Sequence, residues 1–299
     1  MNKKKILVVG GTGFIGYHLC KRCLSIGWKV ASISTNKPTK SRFLKGVKYF
    51  LVDISNKNQL RKKIKENFDY VVNFGGYVDH SNKMKTRKSH YIGCKNLVEV
   101  FLKFKPVIFI QMGSSAEYGK NKSPLKENMN CKPRSVYGKS KLLSTKYLLK
   151  NYREKKFPAV ILRLFQAYGP KQAVNRIIPI TINACLKNKK FECSSGIQTR
   201  DFVHINDLID SIFLVFKNKK SIGKIINIGS GKPKKIKNII IFINKYINKG
   251  TPLFGKIKMR KDEILQNYAD INKAKTILKW KPKVNFNKGL INMINSYVK

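Results

Sequence analysis

The segment 6–16, ILVVGGTGFIG, constrains this 299-residue chain more than any other. Ile6, Leu7, Val8 and Val9 run without the alternation of a half-exposed strand, so they read as a strand buried on both faces. Gly10, Gly13 and Gly16 follow at three-residue spacing, and a helical pattern runs over 14–23. In such a turn the first glycine permits the tight reversal, the second lets backbone approach a pyrophosphate, and the third lets the helix pack close to the strand. The unpaired N–H groups at the helix start then face the phosphates. Strand, glycine turn and helix in that order predict dinucleotide binding in place of a plain βα connection. Phe14 and Ile15, at the helix start, join the three glycines as candidate cofactor contacts.

The same rhythm continues. Segments 29–34, 47–52, 70–74 and 107–112 read as further strands, with helices over 55–65 and 88–104. Alternating β and α at this interval implies an α/β protein with a Rossmann-type, doubly wound parallel sheet. The end of 29–34 is where the adenosine ribose of a cofactor lies, and an NAD site places Asp or Glu there. This chain has Ser34, Thr35, Asn36 and Lys37, with Lys40 and Arg42 beyond. Nothing acidic repels a 2′-phosphate, so NADP is expected rather than NAD; the alternative is that these lysines belong only to a general excess. Asp53 either accepts from the adenine amino group, with Ile54 beside it, or caps the 55–65 helix. Gly75 and Gly76 offer another close approach of backbone to the cofactor.

That excess is large: 63 Lys and Arg against 15 Asp and Glu give a net charge of +48. Such a field attracts polyanions nonspecifically at low salt. The lysines are scattered and accompany abundant Asn and Ile, the mixture an AT-rich coding sequence produces. No basic tail or nucleic-acid motif stands out, so no specific nucleic-acid partner is expected. No apolar run reaches the roughly 18 residues of a membrane helix, so no membrane partner is expected either. The basic start followed by an apolar run reads as a first strand and not a secretory signal, because glycines interrupt it. Cys20 and Cys23 form a C-x-x-C without a second ligand pair, so no metal is expected, and the six cysteines suit reduced thiols in the cytoplasm.

The chemistry concentrates after the fifth strand, where 113–119 reads GSSAEYG and 135–141 reads SVYGKSK. Strand ends at the crevice of an α/β sheet are where such proteins place ligands. Tyr137 and Lys141 are four apart and share a helical face. An ammonium beside a phenol favours the phenolate, which suits proton exchange near neutral pH. A hydroxyl from Ser114 or Ser115 is placed to hold a substrate oxygen.

These motifs, GGTGFIG at 10–16, SSAEYG at 114–119 and YGKSK at 137–141, resemble those of the extended short-chain dehydrogenase/reductases, the nucleotide-sugar epimerase/dehydratase/reductase family. The resemblance continues in family order through RLFQAYGP (163–170), NRIIP (175–179), RDFVHINDL (200–208), NIGSG (227–231) and ADINKAKTILKWKPK (269–283), nearly the whole chain. It implies a dinucleotide-binding domain over 1–168, with return segments near 200–230, and a smaller α/β substrate-binding lobe mainly over 169–299. It implies that Tyr137 is the acid/base, that Lys141 binds the nicotinamide ribose and tunes Tyr137, and that Ser114 is the catalytic hydroxyl, with Ser115 as the adjacent alternative. Arg200 and Arg260 match arginines that hold a substrate diphosphate; the alternative for Arg200 is an ion pair with Asp201 or Asp207. Asn175 and Arg176 begin a substrate-lining segment, and Tyr77, Asp79 and His80 follow the fourth strand toward the sugar. Helices over 88–104 and 137–152 pair across a homodimer in that family.

Three departures bear on the reaction. Dehydratases carry an Asp-Glu pair where this chain has Ser115 and Ala116, with Glu117 displaced, so dehydration is not expected. His90 replaces a common asparagine, as a site residue or a packing one. Gln166 replaces a substrate-contacting asparagine. The resulting expectation is a cytoplasmic NADPH-dependent reductase of a nucleotide-diphospho-4-keto-6-deoxy sugar. The rivals are a nucleotide-sugar epimerase with tightly bound NAD(P), and a non-catalytic NADP- or polyanion-binding protein.

Overall fold

The computed structural model describes residues 3–77, 79, 82–259 and 263–298. The first part runs β1 (Lys5–Val9), α1 (Phe14–Ser25), β2 (Lys29–Ser34), β3 (Val47–Leu51), α2 (Lys57–Lys63), β4 (Tyr70–Asn73), α3 (Lys83–Arg87), α4 (Gly93–Phe101), β5 (Ile108–Ser114), α5 (Val136–Lys155) and β6 (Ala159–Leu164). The second runs β7 (Gln166–Tyr168), α6 (Ile177–Leu186), β8 (Lys190–Cys193), β9 (Thr199–His204), α7 (Ile205–Phe216), β10 (Ile225–Ile228), β11 (Pro233–Lys235), α8 (Ile236–Ile247), β12 (Thr251–Phe254), β13 (Gln266–Asn267), α9 (Asn272–Leu278) and α10 (Phe286–Val298).

Among the described residues, seven parallel strands form the main sheet in the order β10-β6-β5-β4-β1-β2-β3. The chain reverses direction across the sheet between β1 and β4, which opens a crevice beyond the carboxyl ends of those strands. The unbroken apolar run of β1 has a direct cause. Ile6 and Val8 pack with Leu19 and Cys23 of α1 and Leu208 and Ile212 of α7. Leu7 and Val9 pack on the other face with Leu60 of α2, Leu97 and Phe101 of α4, and Leu148 of α5. Both faces are covered, so neither tolerates polar residues.

Several boundaries differ from the sequence pattern. The third strand stops at Leu51, and the fifth continues to Ser114. The helix expected from 88 begins at Lys83 and passes through a wide π turn, Lys88–Ile92, between α3 and α4. Tertiary anchoring accompanies this widening: Asn96 donates to the carbonyls of Ile54 and Ser55 at 2.9 and 3.0 Å. Asp53 does not cap the next helix. Its carboxylate accepts from Ser55 N–H at 2.8 Å, and Asn56 caps α2 by accepting from Gln59 N–H at 3.1 Å. An Asp can satisfy the N–H two residues on, and the local turn wins here. Cys20 and Cys23 lie in the core, where burial pushes the Cys20 thiol up to about 12 and Cys23 higher still. No group of His, Cys, Asp and Glu among the described residues is arranged to hold a metal, and no described helix is long and apolar enough to cross a membrane.

The lobe centres on β9, which pairs antiparallel with β11 and parallel with β7 and β13, while β12 and β8 form a separate pair. Within the return region near 200–230, β10 joins the main sheet beside β6 and β9 stays in the lobe. Tyr168, Ile178, Ile182, Ile240, Ile243, Leu290 and Met293 form the lobe's core. Two buried carboxylates fasten it. Asp201 accepts from Ser230 N–H and O–H (2.5 and 2.6 Å), Gly231 N–H (2.9 Å) and Ala269 N–H (3.0 Å). Asp207 accepts from the N–H groups of Lys283 and Val284 at 2.9 and 3.1 Å.

Candidate active site

The turn after β1 is built from backbone alone. Gly10 has φ +80°, a conformation side-chain-bearing residues rarely adopt, and its N–H donates to Ile33 O at 2.7 Å. A methyl group on Gly16 would run into the Gly10 carbonyl and the Gly11 backbone, so glycine lets α1 rest directly on the turn. Gly13 is the N-cap of α1 with no side-chain cap, and no acidic residue lies in the first helical turn. This donor set, backbone N–H at an uncapped helix start, fits a pyrophosphate.

A cleft of about 690 Å³ opens here, and Gly10, Gly13, Phe14, Ile15 and Gly16 line it together with Ser114, Ser115, Tyr137 and Lys141. Ser135 starts α5 by accepting from Gly138 N–H at 3.1 Å, which places Tyr137 in the first turn. One turn on, Lys141 is 4% exposed and its Nζ donates to Met112 O of β5 at 2.7 Å. The ammonium sits 5.8 Å from the centre of the Tyr137 ring. Ser114 ends β5, and its Oγ accepts from Ala116 N–H at 3.2 Å. His90 stands against Tyr137 edge to face at 5.0 Å and lies 3.2 Å through Nε2 from Tyr77 O, so it forms cleft wall. Glu117 points away from the cleft, into the protein.

Gln166, Gln172, Arg176, Arg200 and Glu263 line both this cleft and a second cavity of about 560 Å³ within the lobe, so the two adjoin. Arg200 pairs with Glu263, not with Asp201 or Asp207, whose carboxylates are committed to backbone. Its Nη1 also donates to Thr199 O and Ile264 O at 2.7 and 2.8 Å. Burial pulls its pKa down, with Glu263 opposing. Asn175 lines only the lobe cavity. Arg260 and His80 lie outside the described residues.

Four other candidates do not line the cleft. The Ser34 hydroxyl accepts from Thr12 N–H at 3.4 Å, and Asp53 is held in its own turn. Ile54 is buried against Gly93, and Gly75 N–H donates to the Asn73 side chain at 2.9 Å. Arg42, beyond Ser34, does line the cleft, and its Nη2 donates to Lys171 O at 2.7 Å. Glu263 had no sequence signal, because its partner is 63 residues away.

Known proteins share this sequence pattern and this fold. Residues 6–229 match the sequence model of the NAD dependent epimerase/dehydratase family. A putative UDP-glucose 4-epimerase of Methanocaldococcus jannaschii is 26% identical over 302 residues, 97% of each chain. CDP-abequose synthase of Salmonella muenchen is 24% identical over 98% of this chain and 97% of its own. The solved UDP-glucuronic acid 4-epimerase of Bacillus cereus, in complex with UDP-glucuronic acid and NAD, has a TM-score of 0.86 at 29% identity, covering 98% of both chains.

Proposed function

The chain belongs to the NAD dependent epimerase/dehydratase family, and from that premise we propose that it is an NADPH-dependent reductase of a nucleotide-diphospho-4-keto-6-deoxy sugar. The observation that carries the reading is the meeting of Ser114, Tyr137 and Lys141 with the glycine turn in one cleft. NADPH held at that turn would supply the hydride that reduces the C4 carbonyl. Tyr137 donates its phenolic proton to the carbonyl oxygen, and the Ser114 hydroxyl steadies the charge that develops there. Lys141, fixed on Met112 O, keeps a positive charge beside the phenol and reaches the ribose of the cofactor. Arg200 and Arg176 hold the diphosphate, which supplies binding energy away from the reacting carbon.

Cofactor choice rests on the end of β2, where no carboxylate stands to repel a 2′-phosphate, and on Arg42, which faces the cleft. Reduction is favoured over dehydration because 115 and 116 carry no carboxylate and Glu117 is buried. The similarity to two 4-epimerases, one of them an NAD complex, supports a second reading: a nucleotide-sugar epimerase that oxidises and re-reduces one carbon. The working form in both readings is a cytoplasmic homodimer paired through α4 and α5.

Purified protein incubated with a panel of nucleotide 4-keto sugars and NADPH separates these readings. The reductase consumes NADPH in step with product and prefers it to NADH. An epimer formed with no loss of reduced-nicotinamide absorbance establishes the second reading instead.

A further inference from the structure

Glu117 has no exposed surface, and a carboxylate so placed must be compensated from within. Its two oxygens reach different elements. Oε1 accepts from the Ser114 N–H at the end of β5, at 2.9 Å. Oε2 accepts from Thr145 Oγ1 of α5 at 2.8 Å and from Arg163 Nε of β6 at 3.0 Å. Thr145 is one turn beyond Lys141 and two beyond Tyr137 on the same helix. Arg163 is 2% exposed and lies 4.5 Å from the centre of the Tyr118 ring, whose hydroxyl donates to Asn227 Oδ1 of β10 at 2.6 Å. Burial works against the Arg163 charge, but Glu117 and Tyr118 outweigh it and raise its pKa. The guanidinium is therefore a fixed cation that holds the carboxylate in place.

We propose that Glu117, clamped by Arg163, is a positioning residue that sets the Ser114 turn in register with the helix carrying Tyr137 and Lys141. This rests on the reaction proposed for the cleft. Glu117 does not line the cleft, so it acts through Ser114 and α5. Stability alone does not require such a pair, since apolar replacements of buried ion pairs are often neutral or stabilising. What apolar side chains cannot supply is one rigid group bonded to both the serine backbone and the α5 helix.

Two variants test this. Glu117→Gln keeps an acceptor for the Ser114 N–H but turns an amide onto Arg163. The double variant Glu117→Leu/Arg163→Met removes both charges and avoids an orphaned cation. In the double variant kcat is expected to fall about a hundredfold, and in Glu117→Gln roughly tenfold, with KM and NADPH affinity within about twofold of the parent. Crystal structures of both variants should show Ser114 displaced from Tyr137 while β1, the glycine turn and α1 superpose. Turnover within twofold of the parent, or Ser114 unmoved, would overturn the proposal. A parent without reductase activity, together with a displaced Ser114 in the variants, refutes the assigned reaction and supports the positioning role.

Discussion

The two walls of the cleft are built by different means. On one side the glycine turn, the end of β5 and the start of α5 are each closed by bonds between near neighbours, Gly13 N–H to Gly10 O, Ser114 with Ala116 and Ser135 with Gly138, and the buried Glu117 then ties the end of β5 to α5 and β6. On the other side the lobe is set by contacts between distant segments. Asp201 gathers Ser230, Gly231 and Ala269, and Arg200 reaches Glu263 and Ile264. In the proposed account, hydride and proton transfer stand on the wall of closed local turns tied together by Glu117, and recognition stands on the lobe wall. The recognition wall can therefore be altered without disturbing the chemistry.

The sharpest break should come at the first wall. Tyr137→Phe removes the proton donor and keeps the ring, so kcat should fall about a thousandfold with NADPH affinity unchanged in a binding titration. Asp201→Ala should instead loosen the second wall. Its four donors lose their acceptor, and denaturant unfolding should show a loss of about 3 kcal/mol, with hydrogen exchange accelerated in β9 before β1. Arg200→Ala should raise KM for the nucleotide sugar roughly thirtyfold, about 2 kcal/mol, and leave kcat within a few-fold. Equal losses in kcat and KM would erase the division between the walls.

The mildest effect is on pH. Burial holds the pKa of His18 and His204 below the ordinary histidine value. The unfolded chain then binds more protons than the folded one as acid is added, so stability is full above about pH 6.5 and declines below it. His204 Nδ1 accepts from Asn206 N–H at the start of α7, a bond that protonation removes. His204→Asn, which keeps a capping acceptor, should flatten the decline in melting temperature between about pH 6.5 and pH 5.

Legibility in the sequence followed the same division. The segment 29–34 coincides with β2, and the apolar run of β1 announced a sheet covered on both faces, because periodicity and glycine spacing record local geometry. Of the two readings of Asp53 the helix cap fails, because an Asp serves its own turn as readily as a helix start. The wide turn at Lys88–Ile92 left no trace, since Asn96 anchors to a segment some forty residues earlier, at Ile54 and Ser55. Of the segments near 200–230 expected to return to the main sheet, only β10 does so, beside β6, while β9 stays in the lobe. Neither Glu263 on Arg200 nor Glu117 on Arg163 was legible, because an ion pair between distant segments imposes no spacing.

The most direct measurement follows a labelled hydride. With NADPH carrying deuterium at the transferable position of the nicotinamide, a nucleotide 4-keto sugar should yield a product bearing one deuterium at C4 for each NADPH oxidised, read by mass spectrometry. An unlabelled epimer with the NADPH intact would contradict the account.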